Sequence, residues 1–318
     1  MILAFLLVIA GFASLLVGAN WMVDGASALA KKYRVPDLAI GLTIVAFGTS
    51  APELVVNIIA SVNGYSDIVL GNIIGSNNFN LFIILGLSGL MLPIQVQSST
   101  AWREIPVSLF ISVLLFLFLN DFMVSGPSWS GRVDGIILLL LFFGFLYYVF
   151  RQMKNHPADE TAGTPLPALK IWVLILAGLG GMVIGGQLVV ANSVSIAERL
   201  GVSEKIIGLT IVAAGTSLPE LVTSVVAAAR KNADIAIGNV IGSNIFNILL
   251  ILAISSIIRP IAYNPAFNLD MAILTGGTAL LLVFMLTGKR KRLDRWEAGV
   301  LFGSYALFMV YLVWAEMT

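Results

Sequence analysis

Apolar runs, each interrupted by a few charged residues or by Gly, Pro and Asn, follow one another along the whole chain. About 20 apolar residues suffice to cross a ~30 Å hydrocarbon layer as helix. The pattern predicts spans near 2–19, 38–61, 67–92, 105–119 and 133–150, and a second set near 171–195, 206–228, 235–257, 271–287 and 298–315. The expected fold class is an all-α membrane protein of about ten transmembrane helices. One long polar connection, residues 151–170 (RQMKNHPADETAGTPLPALK), carries prolines, glycine and mixed charge and reads as a linker between a first unit, 1–150, and a second, 171–318.

An internal repeat supports that division. Residues 40–56 read IGLTIVAFGTSAPELVV and residues 207–223 read IGLTIVAAGTSLPELVT, differing only at 47, 51 and 56 of the first copy. Residues 67–81, DIVLGNIIGSNNFNL, match 234–248, DIAIGNVIGSNIFNI, at the same offset of 167. Five spans per half is an odd number, so the second half enters the membrane upside down relative to the first. Inverted repeats of this kind meet at the bilayer midplane in many transporters.

Composition agrees with the bilayer as solvent: 58% of residues are hydrophobic and 11% charged, against roughly a quarter charged in a soluble domain. The chain opens directly on an apolar run without a basic n-region or cleavage site, so this segment is expected to stay as the first span. There is no cysteine, hence no disulfide, thiolate nucleophile or sulfur-bound metal. A net charge of +1 with no basic stripe excludes a nucleic-acid partner and leaves lipid and inorganic cations, with no obligatory protein partner evident. Alternate connections divide the 18 basic residues unevenly: Lys31, Lys32, Arg34, Arg103, Arg151, Lys154, Lys170, Arg230, Lys231, Lys289, Arg290, Lys291, Arg292 and Arg295 lie on one side, Arg132, Arg199, Lys205 and Arg259 on the other. The positive-inside rule then puts both termini outside the cytoplasm. His156, the one histidine, falls in the linker and reads as solvated.

The repeated blocks carry the chemistry. Glu53 and Glu220 fall inside apolar spans, where an ionised carboxylate costs at least about 2.5 kcal/mol unless compensated. On a continuous helix Thr49 and Ser50 share the face of Glu53, as Thr216 and Ser217 share that of Glu220. Such clustered hard oxygens suit Na⁺, Ca²⁺ or Mg²⁺. Pro52 and Pro219 each remove a donor and clash one turn back, near Gly48 and Gly215, so carbonyls from Ala46 to Thr49 and from Ala213 to Thr216 are expected to be freed for coordination. Ser76 and Asn80 lie one turn apart, as do Ser243 and Asn247, with Asn77 and Asn244 alongside. The spacing G-x-x-x-G at Gly71 and Gly75, and at Gly238 and Gly242, reads as helix packing. Asn20 and Asp24, near the end of the first span, receive no function.

GTSAPE at 48–53 with GNIIGSNNFN at 71–80, and GTSLPE at 215–220 with GNVIGSNIFN at 238–247, resemble the paired alpha-repeats of the cation/calcium exchanger superfamily, closest to prokaryotic sodium/calcium exchangers. Identity is confined to these blocks, while length, span pattern and repeat agree over the whole chain. The resemblance implies a core of spans two, three, seven and eight, with the first and sixth spans sliding against it as a gate. It implies that Glu53 and Glu220 bind Ca²⁺ and also serve Na⁺ sites with Thr49, Ser50, Thr216 and Ser217, that Ser76 and Ser243 flank them as Na⁺ ligands, and that Asn80 and Asn247 complete the central layer. Some relatives place an aspartate where this chain has Asn247. Two formal negative charges remain, enough for one Ca²⁺ or two Na⁺.

The expected function is secondary antiport of Ca²⁺ against Na⁺ by alternating access in a prokaryotic cell membrane, without a cofactor. H⁺ or K⁺ stays open as the counter-ion, since a buried glutamate can carry a proton. A cation channel is the more distant alternative. An enzyme is disfavoured: Ser50 and Ser217 have no histidine or lysine in their spans to act as base, and no phosphate-binding P-loop is present.

Overall fold

The computed structural model describes residues 2–120, 129–155, 166–199, 213–287 and 291–317. Its helices are α1 (Ile2–Tyr33), α2 (Asp37–Thr49), α3 (Ala51–Asn63), α4 (Ser66–Met91), α5 (Thr100–Asn120) and α6 (Arg132–Asn155). The second half contributes α7 (Ala168–Arg199), α8 (Ala213–Thr216), α9 (Leu218–Ala229), α10 (Ala233–Ile258), α11 (Pro265–Leu286) and α12 (Arg295–Met317). Two-residue strands tie loops together: β1 (Ile94–Gln95) pairs antiparallel with β4 (Arg292–Leu293), and β2 (Trp129–Ser130) with β3 (Ile261–Ala262). β1 and β3 stand 167 residues apart, so the repeat extends to its connections.

Seven described helices are long and apolar enough to cross a membrane, and the bent pair α2–α3 makes eight by length and composition. Of the two other expected spans, 298–315 lies within α12, while 206–228 begins on residues 200–212, outside the described ones, and continues as α8 and α9. The protein is mainly helical and integral to the membrane.

Three expected boundaries change. The first span does not stop at residue 19, because α1 runs 32 residues to Tyr33. Its polar side chains are provided for: Asn20 Nδ2 donates to the Leu16 carbonyl at 2.7 Å, and Arg230 holds both Asp24 and the Asn20 side-chain oxygen. The linker is trimmed at both ends, since α6 continues to Asn155 and α7 starts at Ala168; His156 lies outside the described residues. The span expected at 38–61 is two helices bent by 48°. The bend falls at Ser50 (φ −83°, ψ 6°), just before Pro52, which is accommodated in the first turn of α3 where a missing N–H costs nothing.

Buried apolar side chains form two separate clusters. The larger gathers residues of α2, α4, α5, α6, α10, α11 and α12, among them Leu70, Ile74, Leu81, Ile241 and Leu252. The smaller is built mainly on α1 and α7, through Leu15, Ala19, Met22, Ile175 and Met182, and takes in residues of α2, α9 and α10 such as Val45, Ala227 and Ile235.

The helices α1 and α7 are repeat mates and pack antiparallel, backbone on backbone. A Cβ at Gly18 would stand 2.6 Å from the Gly178 carbonyl, one at Gly178 would stand 2.7 Å from that of Gly18, and one at Gly11 would stand 2.8 Å from that of Gly185. Only glycine permits this approach. The Ser14 hydroxyl adds a bond of 2.7 Å to the Gly181 carbonyl.

Candidate functional site

Both helix breaks lie in the repeated blocks and deliver their glutamates to one place. Ser50 and Ser217 occupy the N-cap positions of α3 and α9, with Glu53 and Glu220 in the first turns. There the partial positive end of each helix favours a carboxylate. Both glutamates are buried, at 1% exposure. No Lys, Arg or His occurs in α2, α3, α4, α8, α9 or α10 to neutralise them.

The hydroxyls reach across the repeat, not along it. Ser50 Oγ donates to Glu220 Oε1 at 2.9 Å, and Ser217 Oγ donates to Glu53 Oε1 at 3.2 Å while standing 3.2 Å from Ser76 Oγ. Thr49 and Thr216 likewise lie beside Glu220 and Glu53 respectively. The same-face pairing expected from spacing assumes an unbroken helix, and the break at Ser50 turns the hydroxyls toward the other half. The Ala46 carbonyl, expected to be freed by Pro52, instead accepts the Ser50 N–H at 3.0 Å, and the Thr49 hydroxyl lies 3.3 Å from it. Ala213 is the first residue of α8, adjoining the undescribed segment 200–212.

One turn below, α4 and α10 cross through their asparagines. Asn77 Nδ2 donates to the Asn244 carbonyl and Asn244 Nδ2 donates to the Asn77 carbonyl, both at 3.3 Å. Asn247 Nδ2 donates to Asn77 Oδ1 at 2.9 Å, and Asn80 Nδ2 to Asn244 Oδ1 at 3.1 Å. Immediately beyond, each helix loosens into a π segment, Phe79–Ile84 in α4 and Asn247–Leu252 in α10. Single π turns of this kind are frequent at functional sites, and two others occur among the described residues, at Gly41–Val45 and Thr100–Glu104.

Several oxygens here are buried without a hydrogen-bond partner: Glu53 Oε2, Glu220 Oε2, Ser243 Oγ, Asn80 Oδ1 and Asn247 Oδ1. Leaving a neutral buried acceptor unsatisfied costs about 1–3 kcal/mol, and a charged one more. Unpartnered oxygens of this kind are the hard ligands that a dehydrated cation takes.

Sequence reasoning missed a supporting ring. Asn57 Nδ2 donates to Asn72 Oδ1 at 2.6 Å and to the Glu53 carbonyl at 2.7 Å. In the other half Asn239 Nδ2 donates to Ser224 Oγ at 2.9 Å and to the Glu220 carbonyl at 3.3 Å. The two rings are cross-linked: Asn72 Nδ2 donates to Thr216 Oγ1 at 3.4 Å, and the Thr49 hydroxyl to Asn239 Oδ1 at 3.0 Å. Asn72 and Asn239 were visible as members of the repeated block. Asn57 and Ser224 were not, since the two halves differ at that position. The second-half glycines do pack: a Cβ at Gly238 would stand 2.9 Å from the Leu38 carbonyl, and one at Gly242 2.8 Å from Ala46 Cβ. The partners that the repeat assigns to Gly71 and Gly75, residues 205–213, fall almost wholly outside the described residues.

Comparison with known proteins gives the same direction. The family described as sodium/calcium exchanger protein matches residues 3–151 and 170–314. A putative antiporter, CaxA, of Alkalimonas amylolytica is 36% identical over 315 residues, covering 96% of this chain and 97% of that one. The sodium/calcium exchanger MaX1 of Methanosarcina acetivorans is 33% identical, covering 97% and 98%. A solved structure of the sodium-calcium exchanger NCX_Mj superposes with a TM-score of 0.83 at 32% identity, covering 98% of each chain. These are transporters and not enzymes, and the chain belongs to the sodium/calcium exchanger family.

Proposed function

We propose that this protein is a secondary antiporter that exchanges Ca²⁺ for Na⁺ by alternating access, with ten spans arranged as two inverted five-helix units and both termini outside the cytoplasm. The observation that carries the reading is the set of buried, unpartnered oxygens on α3, α4, α9 and α10 in segments without any cationic side chain. Glu53 and Glu220 supply the charge. Ser50 and Ser217 hold the carboxylates across the repeat with Thr49 and Thr216 beside them, while Ser76, Ser243, Asn80 and Asn247 supply neutral ligands. No resident cofactor is required.

Two carboxylates match the charge of one Ca²⁺ or of two Na⁺, so either load lowers the cost of closing the chamber, whereas an empty chamber keeps its repulsion. Occupancy thereby biases the equilibrium between the two access states. The α1–α7 pair supports a moving part: most of its buried apolar residues gather in a cluster apart from the larger core, and Met22 Cε and Leu179 Cδ1 lie 3.3 and 3.6 Å from a Cβ built at Gly48, beside the helix break.

The test is ⁴⁵Ca²⁺ uptake into vesicles reconstituted with the purified protein, driven in turn by Na⁺, K⁺ and pH gradients. Uptake driven by Na⁺ and abolished in both Glu53→Gln and Glu220→Gln is expected. Uptake driven by a pH gradient without Na⁺ would move the counter-ion to H⁺, and full Na⁺-driven uptake in both variants would remove the site assignment.

A further inference from the structure

We infer that Asn77 and Asn244 are positioning residues, which force Asn247 and Asn80 to present amide oxygens, and not N–H groups, to the ion chamber. The inference rests on the exchanger reading and extends it to two residues that bind no ion themselves.

An asparagine amide has nearly the same shape whichever way it is turned, so packing alone does not decide which end faces a cation. Here the chemistry decides. A backbone carbonyl cannot donate, so the atom of Asn77 that meets the Asn244 carbonyl at 3.3 Å must be its NH₂. Its Oδ1 is then the end 2.9 Å from Asn247, which must answer with its own NH₂. Asn247 Oδ1 is left over, buried and without a partner. The same deduction runs in the other half: Asn244 gives its NH₂ to the Asn77 carbonyl at 3.3 Å, takes the Asn80 NH₂ at 3.1 Å, and leaves Asn80 Oδ1 free. Each anchor is a backbone atom of the other anchor's own residue, so neither amide can be turned over without breaking bonds in both halves. Ser76, one turn before Asn80 on α4, stands 3.2 Å from the Ser217 hydroxyl that bonds Glu53, so that face of α4 is turned toward the glutamates; Ser243 is its repeat mate, one turn before Asn247 on α10.

Turning either ligand amide over would aim an NH₂ group at the cation, replacing attraction with repulsion. An aspartate in the ligand position has oxygen at both ends and needs no such control. This difference supplies the test. Reconstituted wild-type protein and variants are compared by the KM and maximal rate of ⁴⁵Ca²⁺ uptake, with folding checked by monodispersity in detergent. Asn77→Ala is expected to raise the KM about tenfold, the scale of one lost ordering hydrogen bond, with a smaller effect on maximal rate. In an Asn247→Asp background the same substitution is expected to change KM by no more than about twofold, because nothing remains to be turned over.

An unchanged KM in Asn77→Ala, or an equal loss in both backgrounds, overturns the inference. If Asn77→Ala does not fold, Asn244→Ala with and without Asn80→Asp makes the same comparison in the other half. Wild-type protein that moves no cation would instead sink the exchanger reading, an outcome distinct from active protein indifferent to Asn77.

Discussion

Two of the seams along which the two halves meet are built in opposite ways. Between α1 and α7 the contact is backbone on backbone: Gly11, Gly18, Gly178 and Gly185 bring the helices together, and Ser14 to the Gly181 carbonyl is a side-chain bond between them. Between α3–α4 and α9–α10 the contact is made by polar side chains, hydroxyls to carboxylates and amides to backbone carbonyls, that bond reciprocally across the repeat. Directional bonds fix a register, whereas smooth glycine faces set a distance and leave sliding along the axis inexpensive. The same twofold pairing thus yields a rigid seam that holds ligands and a smooth seam suited to motion.

Four comparisons sharpen that contrast, from the largest expected effect to the smallest. Glu53→Gln removes half the chamber's charge and should lower Na⁺-driven Ca²⁺ flux at least about 100-fold, the scale of breaking a buried charged group's environment. The protein should stay folded, which circular dichroism and size exclusion can check. On the smooth seam, Gly18→Ala drives a methyl group into the Gly178 carbonyl, and overpacking of this kind costs about 1–3 kcal/mol. Its unfolding midpoint in detergent should fall, while Gly276→Ala, where a Cβ meets nothing within 4 Å, should leave it unchanged or slightly raised. Equal midpoints for the two variants would remove the glycine argument.

Back on the rigid seam, Ser217 contacts both Glu53 and Ser76, but the Ser50 hydroxyl is seen with Glu220 alone among the described bonds. Ser217→Ala should therefore weaken Ca²⁺ affinity more than Ser50→Ala, by about threefold to tenfold against a smaller loss. The reverse ranking in flux titrations would show that the asymmetry has no functional weight. Arg230→Ala comes last. Its ion pair with Asp24 is exposed, at 36% and 53%, so stability should change by less than about 1 kcal/mol, measured by the same midpoint.

Much of this was legible from sequence because the repeat is written twice. Glu53 and Glu220 declare themselves as charges in apolar runs, and the common offset pairs them without any structure. The partner of each hydroxyl was not legible. Spacing along one helix assigns Ser50 to Glu53, but Pro52 ends that helix, and Ser50 then meets a residue 170 positions away. The same proline was expected to free the Ala46 carbonyl, which the Ser50 N–H takes as the chain turns. The first span looked shorter than it is because Asn20 and Asp24 read as its end, although Arg230, more than 200 residues on, accommodates them inside a longer helix. Asn77 and Asn244 stood in the motif all along. Their role depends on a crossing that only the tertiary fold creates.

At 1.5 Å per residue the 32 residues of α1 extend about 48 Å, and α7 is equally long. A hydrocarbon layer of ~30 Å cannot hold either upright, so the pair must lean or project. Its outer face is exposed and apolar at Ile2, Leu3, Phe5, Leu6, Ile9 and Phe12. We predict that acyl-chain length alone will tune turnover: thicker vesicles stand the pair more upright and thinner ones tilt it. A rate that stays flat from short-chain to long-chain phosphatidylcholine would show that the pair's inclination is fixed by protein alone. Otherwise the lipid bilayer becomes a mechanical setting of this protein.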